Sequence, residues 1–222
     1  MNKAGLFILV FLFPFLFFSQ VWEAVGPFYG KLANGNYLHS MGLVNAIQMH
    51  PTDTNTILMA TNSSGIWKTT DRGTNWKCVT NSKKLIPGMG VRGFAINPDN
   101  PNEIFSGGGN YVYGFDSYDG GLLRSADWGD TWDLVQSFDS IYHDKEVMGI
   151  DYSQKGKLYV YGERAVWLSQ DNGLSWKSIF RIDEKNSYIK HQTQHLVDLK
   201  VTNTGVIFVS SNHKWGSRAN CW

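Results

Sequence analysis

Residues 125–132 read SADWGDTW, and two further stretches of the chain follow the same pattern. TTDRGTNW occupies residues 69–76 and SQDNGLSW occupies residues 169–176. Each stretch has Ser or Thr, any residue, Asp, any residue, Gly, two more residues and Trp. This pattern, here called the box, indicates a protein built from internal repeats. It also raises the question whether the repeated Asp has a chemical or a structural role.

The residues around each box belong to a longer repeat of four short β-rich runs. In the second repeat these runs are RGFAINP (92–98), EIFSGGG (103–109), GLLRSA (121–126) and WDLVQ (132–136). Asp71, Asp127 and Asp171 are 56 and 44 residues apart, and the longer spacing contains the extra loop NYVYGFDSYDG (110–120). Four strands in roughly 40–50 residues is the period of a β-propeller blade. A fourth repeat begins with LVDLKVT (196–202) and VIFVSSN (206–212). The sequence therefore predicts an all-β fold, a β-propeller with three full blades and the start of a fourth.

The fourth repeat breaks off after VIFVSSN (206–212), at KWGSRANCW (214–222). We therefore expect the chain to be a fragment of a larger propeller, and the alternative is that several chains close a ring together.

Every fixed position of the box has a structural explanation. The turn between the third and fourth strands needs a residue at positive φ, which Gly supplies. The Asp can accept backbone N–H bonds across the turn, the Ser or Thr can add a hydroxyl bond, and the Trp can bury its indole. An enzyme rarely needs the same carboxylate three times. We therefore expect structural roles for Asp71, Gly73 and Trp76, for Asp127, Gly129 and Trp132, and for Asp171, Gly173 and Trp176.

The N-terminal segment differs from the repeats. A run of apolar residues from Leu6 to Phe18 follows Lys3 and ends before Ser19 and Gln20. The run is too short to cross a bilayer as a helix. It predicts a signal peptide over residues 1–20, the propeller over residues 21–222 and a secreted or cell-surface location. An uncleaved anchor is the alternative, and no other contact with a membrane is expected.

Composition excludes some partners and leaves one redox question open. The net charge of +1 provides no basic surface for nucleic acid, so no nucleic-acid partner is expected. The two cysteines, Cys78 and Cys221, lie far apart in the sequence. They form either a disulfide bridge or two separate thiols. The six histidines show no metal-ligand spacing, and no metal or other cofactor is expected.

The box resembles the Asp-box, or BNR, repeat of sialidases, xyloglucanase-like glycoside hydrolases, sortilin-type receptors and a photosystem assembly factor. The stretches NAIQMHPTDTNTILMATNSSGIWKTTDRGTNW (45–76) and FAINPDNPNEIF (94–105) are most similar to sortilin-type or xyloglucanase-like propellers of secreted bacterial proteins. The resemblance covers residues 40–212. It implies a multi-blade propeller in an extracellular setting, but this fold carries both enzymes and binding modules.

The chain departs from the catalytic motifs of these families. Sialidases have an Arg-Ile-Pro motif, which does not occur in this sequence. Xyloglucanase-like enzymes have a catalytic Asp in an early Arg-Thr-Asp-x-Gly-Gly stretch, and the matching residues here are TNSSGI (61–66). Ser63 therefore stands where the resemblance places the acid. Serine cannot act as one of the two carboxylates that glycoside hydrolysis normally needs.

A ligand site is expected on the propeller face opposite the boxes, in the loops between second and third strands and between blades. The insertion GGGNYVYGFDSYDGG (107–121) combines aromatic rings with carboxylates, which suits a glycan or a peptide. The alternative is that this loop packs its aromatic rings on a neighbouring blade. The candidate ligand-binding residues are Tyr111, Tyr113, Asp116, Tyr118, Asp119, Glu146 and Arg164.

The sequence favours a secreted module that binds carbohydrate or a protein partner and is not catalytic in this segment. One alternative is a glycoside hydrolase of the xyloglucanase-like type, with its acids in the loops of that face and in further blades. The other is a sortilin-like peptide-binding protein or assembly factor. An acid pair facing one cleft would favour the enzyme, and an aromatic platform without such a pair would favour binding.

Overall fold

The computed structural model describes residues 30–31, 37–38, 43–80, 90–108, 121–139, 147–182, 194–213 and 216–221. The predicted signal peptide over residues 1–20 lies outside these ranges. The described residues form short antiparallel strands and a single helical turn, α1 (Gln136–Asp139). In this part of the chain no helix is long and apolar enough to span a membrane.

The strands form four sheets in chain order, here called blades 1 to 4, and each strand pairs with the next along the chain. A separate ladder of β1 (Gly30–Lys31) and β2 (Tyr37–Leu38) precedes them. Blade 1 contains β3 (Val44–Met49), β4 (Ile57–Thr61), β5 (Ile66–Thr69) and β6 (Lys77–Cys78). Blade 2 contains β7 (Val91–Ile96), β8 (Ile104–Gly108), β9 (Gly121–Ser125) and β10 (Asp133–Leu134).

Blades 3 and 4 continue the same order. Blade 3 contains β11 (Gly149–Gln154), β12 (Lys157–Tyr161), β13 (Ala165–Ser169) and β14 (Lys177–Arg181). Blade 4 contains β15 (Gln194–Val201), β16 (Ile207–His213) and β17 (Gly216–Cys221). The prediction of an all-β, partial β-propeller is therefore confirmed. Strand β17 is an addition, because the sequence predicted only two strands in the fourth repeat.

Strand register makes positions in the four blades equivalent. In blades 1, 2 and 4 the pairing of the innermost strand skips one residue, between Val44 and Ala46, Val91 and Gly93, and Leu196 and Asp198. Counted from this skipped residue, or from the first pair of blade 3, equivalent residues of the innermost strands pair with equivalent residues of the second strands. The pairs are Ile47 with Met59, Phe94 with Ser106, Ile150 with Val160, and Leu199 with Val209.

The core lies between the blades, as three apolar clusters. Leu58 and Ile66 of blade 1 pack with Ile104 and Trp132 of blade 2. The next cluster joins Phe105 and Leu122 of blade 2 to Val147 and Leu158 of blade 3. Tyr159 and Val166 of blade 3 pack with Leu196 and Val209 of blade 4. Burying one such side chain contributes about 1.5–3 kcal/mol, so each blade is stabilised mainly by its neighbours.

Candidate functional site

The second box forms the turn between β9 and β10 and is held by its own side chains. The hydroxyl of Ser125 donates a hydrogen bond to the carboxylate of Asp127 at 2.8 Å and accepts one from the N–H of Gly129 at 2.7 Å. The Asp127 carboxylate also accepts bonds from the N–H and the hydroxyl of Thr131, at 2.9 Å and 2.6 Å. These bonds close the turn without any residue from outside it.

The first and third boxes have the same bonds. Asp171 accepts from the N–H of Ser175 at 2.8 Å and from its hydroxyl at 2.5 Å. In the first box Asn75 replaces the hydroxyl residue, and its side-chain amide donates to Asp71 at 2.7 Å. In this box the side-chain amide of Asn75 therefore donates the bond that a hydroxyl donates in the other two boxes.

The backbone of the box turns corrects one detail of the sequence prediction. The sequence predicted one residue at positive φ in each turn, whereas the structure has two in succession. Arg72 (φ 59°), Trp128 (φ 53°) and Asn172 (φ 55°) precede the three box glycines, which have φ between 81° and 91°. Two successive positive φ values define a type I′ turn, whose twist matches the twist of the flanking strands. The ring of Trp128 stacks on His50 in blade 1, with ring centroids 4.6 Å apart.

The hydrogen bonds lower the pKa of the box aspartates. The hydroxyl and N–H of Ser175 lower the pKa of Asp171 to about 2. The N–H and the side-chain amide of Asn75 lower the pKa of Asp71 below its ordinary value. Burial raises the pKa of Asp127, but the bonds from Thr131 and Ser125 outweigh burial, so the net shift is downward. A carboxylate held ionised inside its own turn is suited to fixing the turn and not to donating a proton.

The three box tryptophans differ in burial. Trp132 is buried in the cluster between blades 1 and 2, and its indole N–H donates to the carbonyl of Gly129 at 3.2 Å. Trp76 and Trp176 are half-buried. Trp176 packs edge to face on Phe138, with centroids 4.8 Å apart, and donates to the hydroxyl of Ser137 at 3.2 Å. The short helix α1 thus links the outer strands of blades 2 and 3.

An open groove of about 310 Å³ lies among the innermost strands of all four blades. Its walls are residues 46–48 of β3, 92–94 of β7, 148–150 at the start of β11, Tyr161 of β12, and 198–200 of β15. Amide-bearing or charged residues line it from three blades: Gln48, Arg92, Asp198 and Lys200. The groove therefore presents charges of both signs to a ligand.

Tyr161 forms a fixed part of the groove wall. Its hydroxyl donates to the carbonyl of Val197 at 2.9 Å and so joins blade 3 to blade 4. Burial raises the pKa of Tyr161 to about 12; the carboxylate of Asp198 adds to this shift and Arg92 opposes it. A Cβ atom at Gly149 would lie 2.4 Å from the Tyr161 ring, so only glycine leaves room for the ring. Tyr161 therefore remains protonated at neutral pH, and its hydroxyl holds blade 3 against blade 4.

The residues predicted to bind ligand are divided between described and undescribed parts of the chain. Tyr111, Tyr113, Asp116, Tyr118, Asp119 and Glu146 lie outside the described residues, so their roles stay predictions. Arg164 lies half-buried beside Glu163, between β12 and β13, and its carbonyl accepts a bond from the N–H of Ile182 at 2.9 Å. Ser63 lies exposed between β4 and β5. Both turns are at the ends of their strands opposite the boxes.

The sequence prediction missed the groove residues Gln48, Arg92, Asp198 and Lys200. The signal lay in the first strand of the first, second and fourth repeats, where these polar residues lie among apolar ones. Among the described residues, no cluster of three or more His, Cys, Asp or Glu side chains could hold a metal ion.

No protein-family model matches the chain. Over 110 residues it is 26% identical to a xyloglucanase from Paenibacillus sp. The aligned region covers 46% of this chain and 11% of the xyloglucanase. An ancestral GH74 enzyme has a similar structure, with a TM-score of 0.57 and 16% identity over 84% of this chain and 27% of that enzyme.

YCF48 from Cyanidioschyzon merolae has a TM-score of 0.56 and 12% identity, over 83% of this chain and 57% of YCF48. YCF48 bound to D1 peptide gives a TM-score of 0.55 with 12% identity, over 83% of this chain and 55% of YCF48. The chain thus spans well under two thirds of each of these proteins. Its fold is that of the β-propellers found in GH74 xyloglucanases and in YCF48.

Proposed function

We propose that the chain is an exported, ligand-binding β-propeller that holds a peptide segment of a protein partner in the groove among its innermost strands. The observation that carries this proposal is the mixed charge of the groove, where Arg92, Lys200 and Asp198 line one cavity of about 310 Å³. A peptide supplies both carboxylates and ammonium groups, which pair with these side chains, whereas a neutral glycan supplies neither. The similarity to YCF48, solved with a bound D1 peptide, supports this choice.

We infer that this segment does not hydrolyse glycosides. Hydrolysis normally needs two carboxylates that flank the scissile bond, one as acid and one as base or nucleophile. Among the described residues that line the groove, Asp198 alone carries a carboxylate. Ser63, at the position where the resemblance places a catalytic Asp, is exposed and has no acidic group.

A glycan is the second candidate ligand. The similarity to the Paenibacillus xyloglucanase and the aromatic insertion at 107–121 favour it. Stacking of sugar rings on Tyr111, Tyr113 or Tyr118 would need no acid pair. In this case the ligand would lie on the face opposite the boxes and not in the groove.

The test of the peptide proposal uses the isosteric substitution Asp198→Asn. Asparagine retains an oxygen that can accept the bond from the N–H of Leu199, so the strand is kept while the charge is lost. The control is Asp99→Asn, which removes the same charge from the turn between β7 and β8, where the carboxylate pairs with Lys155 and does not line the groove. The probe is an array of short peptides that carry both Lys and Asp. A charge-assisted bond contributes about 1.5–3 kcal/mol, so Asp198→Asn should weaken binding about tenfold or more.

The Asp99→Asn variant should bind as the unsubstituted chain does. Equal affinity of all three proteins for the peptides would contradict the groove proposal.

The test of the second candidate is a glycan array beside a reducing-sugar assay on xyloglucan. Glycan binding that is lost when Tyr111, Tyr113 and Tyr118 are replaced by Ala would favour the glycan. Reducing ends released by the full chain, and lost in Asp116→Asn or Asp119→Asn, would establish a hydrolase instead.

A further inference from the structure

Gly93 lies inside strand β7 on the wall of the groove, and the strand itself does not require a glycine at this position. Its φ lies outside the left-handed region that favours glycine. A Cβ atom here would meet no atom of the described residues within 4 Å, so no neighbouring group excludes a side chain. A glycine inside a strand also weakens it, because its backbone loses more conformational freedom on folding. The packing of the chain therefore does not explain Gly93.

The equivalent residues of the other blades exclude two structural explanations. Strand register makes Ala46, Gly149 and Asp198 the equivalents of Gly93 in blades 1, 3 and 4. Ala46 and Asp198 follow the same kind of skipped residue, so this irregularity does not require glycine. Gly149 is needed because a Cβ atom there would lie 2.4 Å from the ring of Tyr161. No such ring lies against Gly93.

The second strand of blade 2 leaves the same place open. Gly107 pairs with Gly93 and is the equivalent of Tyr161, so blade 2 has no side chain where blade 3 has a ring. A Cβ atom at Gly107 would lie 2.2 Å from a methyl carbon of Val147 and 3.3 Å from one of Ile150. These apolar side chains of blade 3 therefore close the space at Gly107, while the space at Gly93 stays open to the groove. This recess between β7 and β11 is here called the Gly93 notch.

The following proposal rests on the peptide-binding function proposed above. We propose that the Gly93 notch takes a small aliphatic side chain of the bound peptide, which packs directly on the Cα atom of Gly93. A glycine inside a strand often marks a place where a ligand approaches the main chain closely. Val147 and Ile150 make the far side of the notch apolar, so an aliphatic group gains by leaving water there, whereas a charged group would lose its hydration.

Arg92 adds a second requirement to the peptide. It directly precedes Gly93 in β7 and also lines the groove. A carboxylate next to the aliphatic residue of the peptide would meet this guanidinium, and such charge-assisted pairs are among the stronger hydrogen bonds. The preferred peptide therefore has Ala or Val beside Asp or Glu, and a Lys or Arg elsewhere that pairs with Asp198.

The test combines a substitution in the notch with a matched change in the peptide. The probes are two peptides that carry both Lys and Asp and differ only beside the Asp, with Val in one and Gly in the other. Calorimetric titration of the unsubstituted chain should show about tenfold or more tighter binding of the Val peptide, the effect of burying that side chain. Gly93→Val fills the notch from the protein side. It should therefore weaken binding of the Val peptide about tenfold or more and leave binding of the Gly peptide nearly unchanged.

Two controls separate binding from folding. Ser178 is exposed on the outer strand β14 and does not line the groove, so Ser178→Val should change neither affinity. Urea denaturation of Gly93→Ala should give an unchanged or higher midpoint, because a side chain that fits the folded strand restricts the unfolded chain. Gly149→Ala should instead lower the midpoint, since the ring of Tyr161 must move.

Equal weakening of both peptides by Gly93→Val would overturn the proposal, and so would a lowered urea midpoint for Gly93→Ala, because the glycine would then serve the fold. If Gly93→Val binds the Val peptide normally while Asp198→Asn binds it weakly, the notch is contradicted and the groove proposal stands. If neither peptide binds, or if Asp198→Asn also binds both normally, the groove proposal and the notch are contradicted together.

Discussion

Gly129 and Gly173 occupy the same place in two boxes, with φ of 81° and 84°, yet their surroundings differ. A Cβ atom at Gly129 would lie 2.7 Å from a methyl carbon of Leu58 in the neighbouring blade. At Gly173 the nearest atoms would be 3.5 Å away, which is ordinary contact. Gly156, between β11 and β12, has φ of 67° and would meet nothing within 4 Å. Substitutions at these three glycines therefore measure the cost of backbone strain with and without steric overlap.

We expect Gly156→Ala and Gly173→Ala to lower the free energy of unfolding by about 1–2 kcal/mol each, the cost of a left-handed backbone for a residue with a Cβ. Gly129→Ala should lower it by a further 1–3 kcal/mol or so, because Leu58 must move in a packed core. Urea denaturation measures all three, with Gly156→Ala as the control for strain alone. Equal losses at Gly129 and Gly173 would contradict the predicted overlap with Leu58.

The pKa of Asp171 predicts a specific acid sensitivity. Its folded-state pKa of about 2 is below the ordinary value of 3.8, so the folded state favours the ionised form. The stability from this carboxylate is therefore fully present above about pH 4 and is lost as the pH falls towards 2. Asp171→Asn keeps an acceptor in the turn but does not titrate. Its urea midpoint should change less between pH 4 and 2 than that of the unsubstituted chain, and parallel curves would contradict this assignment.

The chemistry of the box turns could be read from the sequence, whereas their turn type could not. Ser, Asp and Thr side chains two to four residues apart can bond only within a short turn, so the residue types predict the bonds. The additional positive φ value falls on the residue before each glycine, and these residues, Arg72, Trp128 and Asn172, are of three different types. At Trp128 the ring stacks on His50 of another blade, and a local sequence pattern cannot reveal such a contact.

At the scale of strands, blades are joined by polar bonds as well as apolar clusters. The side-chain amide of Asn45 donates to the carbonyl of Val91 at 2.7 Å, and that of Gln154 donates to Thr202 at 3.1 Å. Asp130 forms an ion pair with Lys68 of blade 1 at 2.8 Å. These contacts satisfy groups near the edges of the sheets and fix how consecutive sheets are placed.

Tyr161 and Tyr159 provide a matched pair for testing one of these bonds. Both lie on β12, but the Tyr161 hydroxyl donates to Val197 in blade 4, while the Tyr159 hydroxyl donates to Gln154 in its own blade at 3.2 Å. Tyr161→Phe should lower the free energy of unfolding by about 0.5–1.5 kcal/mol. It should also speed amide hydrogen exchange in β15. Tyr159→Phe should change β15 exchange less, because its hydroxyl reaches blade 4 only through Gln154, which bonds to Thr202 just after β15. Equal effects of both variants on β15 would contradict a direct role of the Tyr161 hydroxyl in holding blade 4.

Most strands could be predicted, and those that could not lack the usual pattern. Strands such as KLYVY (157–161) are rich in β-branched and aromatic residues and are bounded by turn residues. In contrast, GSRANC (216–221) has no such pattern, yet it pairs with β16 as β17. Pairing to a neighbouring strand decides this element, because β-propensity depends strongly on context.

At the scale of the whole molecule, three apolar clusters join the blades in chain order, one between each consecutive pair. The groove follows from this arrangement, since Gln48, Arg92 and Asp198 belong to blades 1, 2 and 4. Their convergence depends on strand register, so the sequence alone could not place them together.

The side-chain bonds between consecutive blades also have a consequence for how the chain folds. The Asn45–Val91 bond spans 46 residues and the Gln154–Thr202 bond spans 48, about one repeat in each case. Folding is slowed chiefly by contacts between distant parts of a chain, and these contacts reach only one repeat back. A polypeptide that emerges from its N-terminus can therefore complete each interface as soon as the next repeat is released. We expect the nascent chain to fold from its N-terminus onwards, with each new sheet packing on the sheet formed before it.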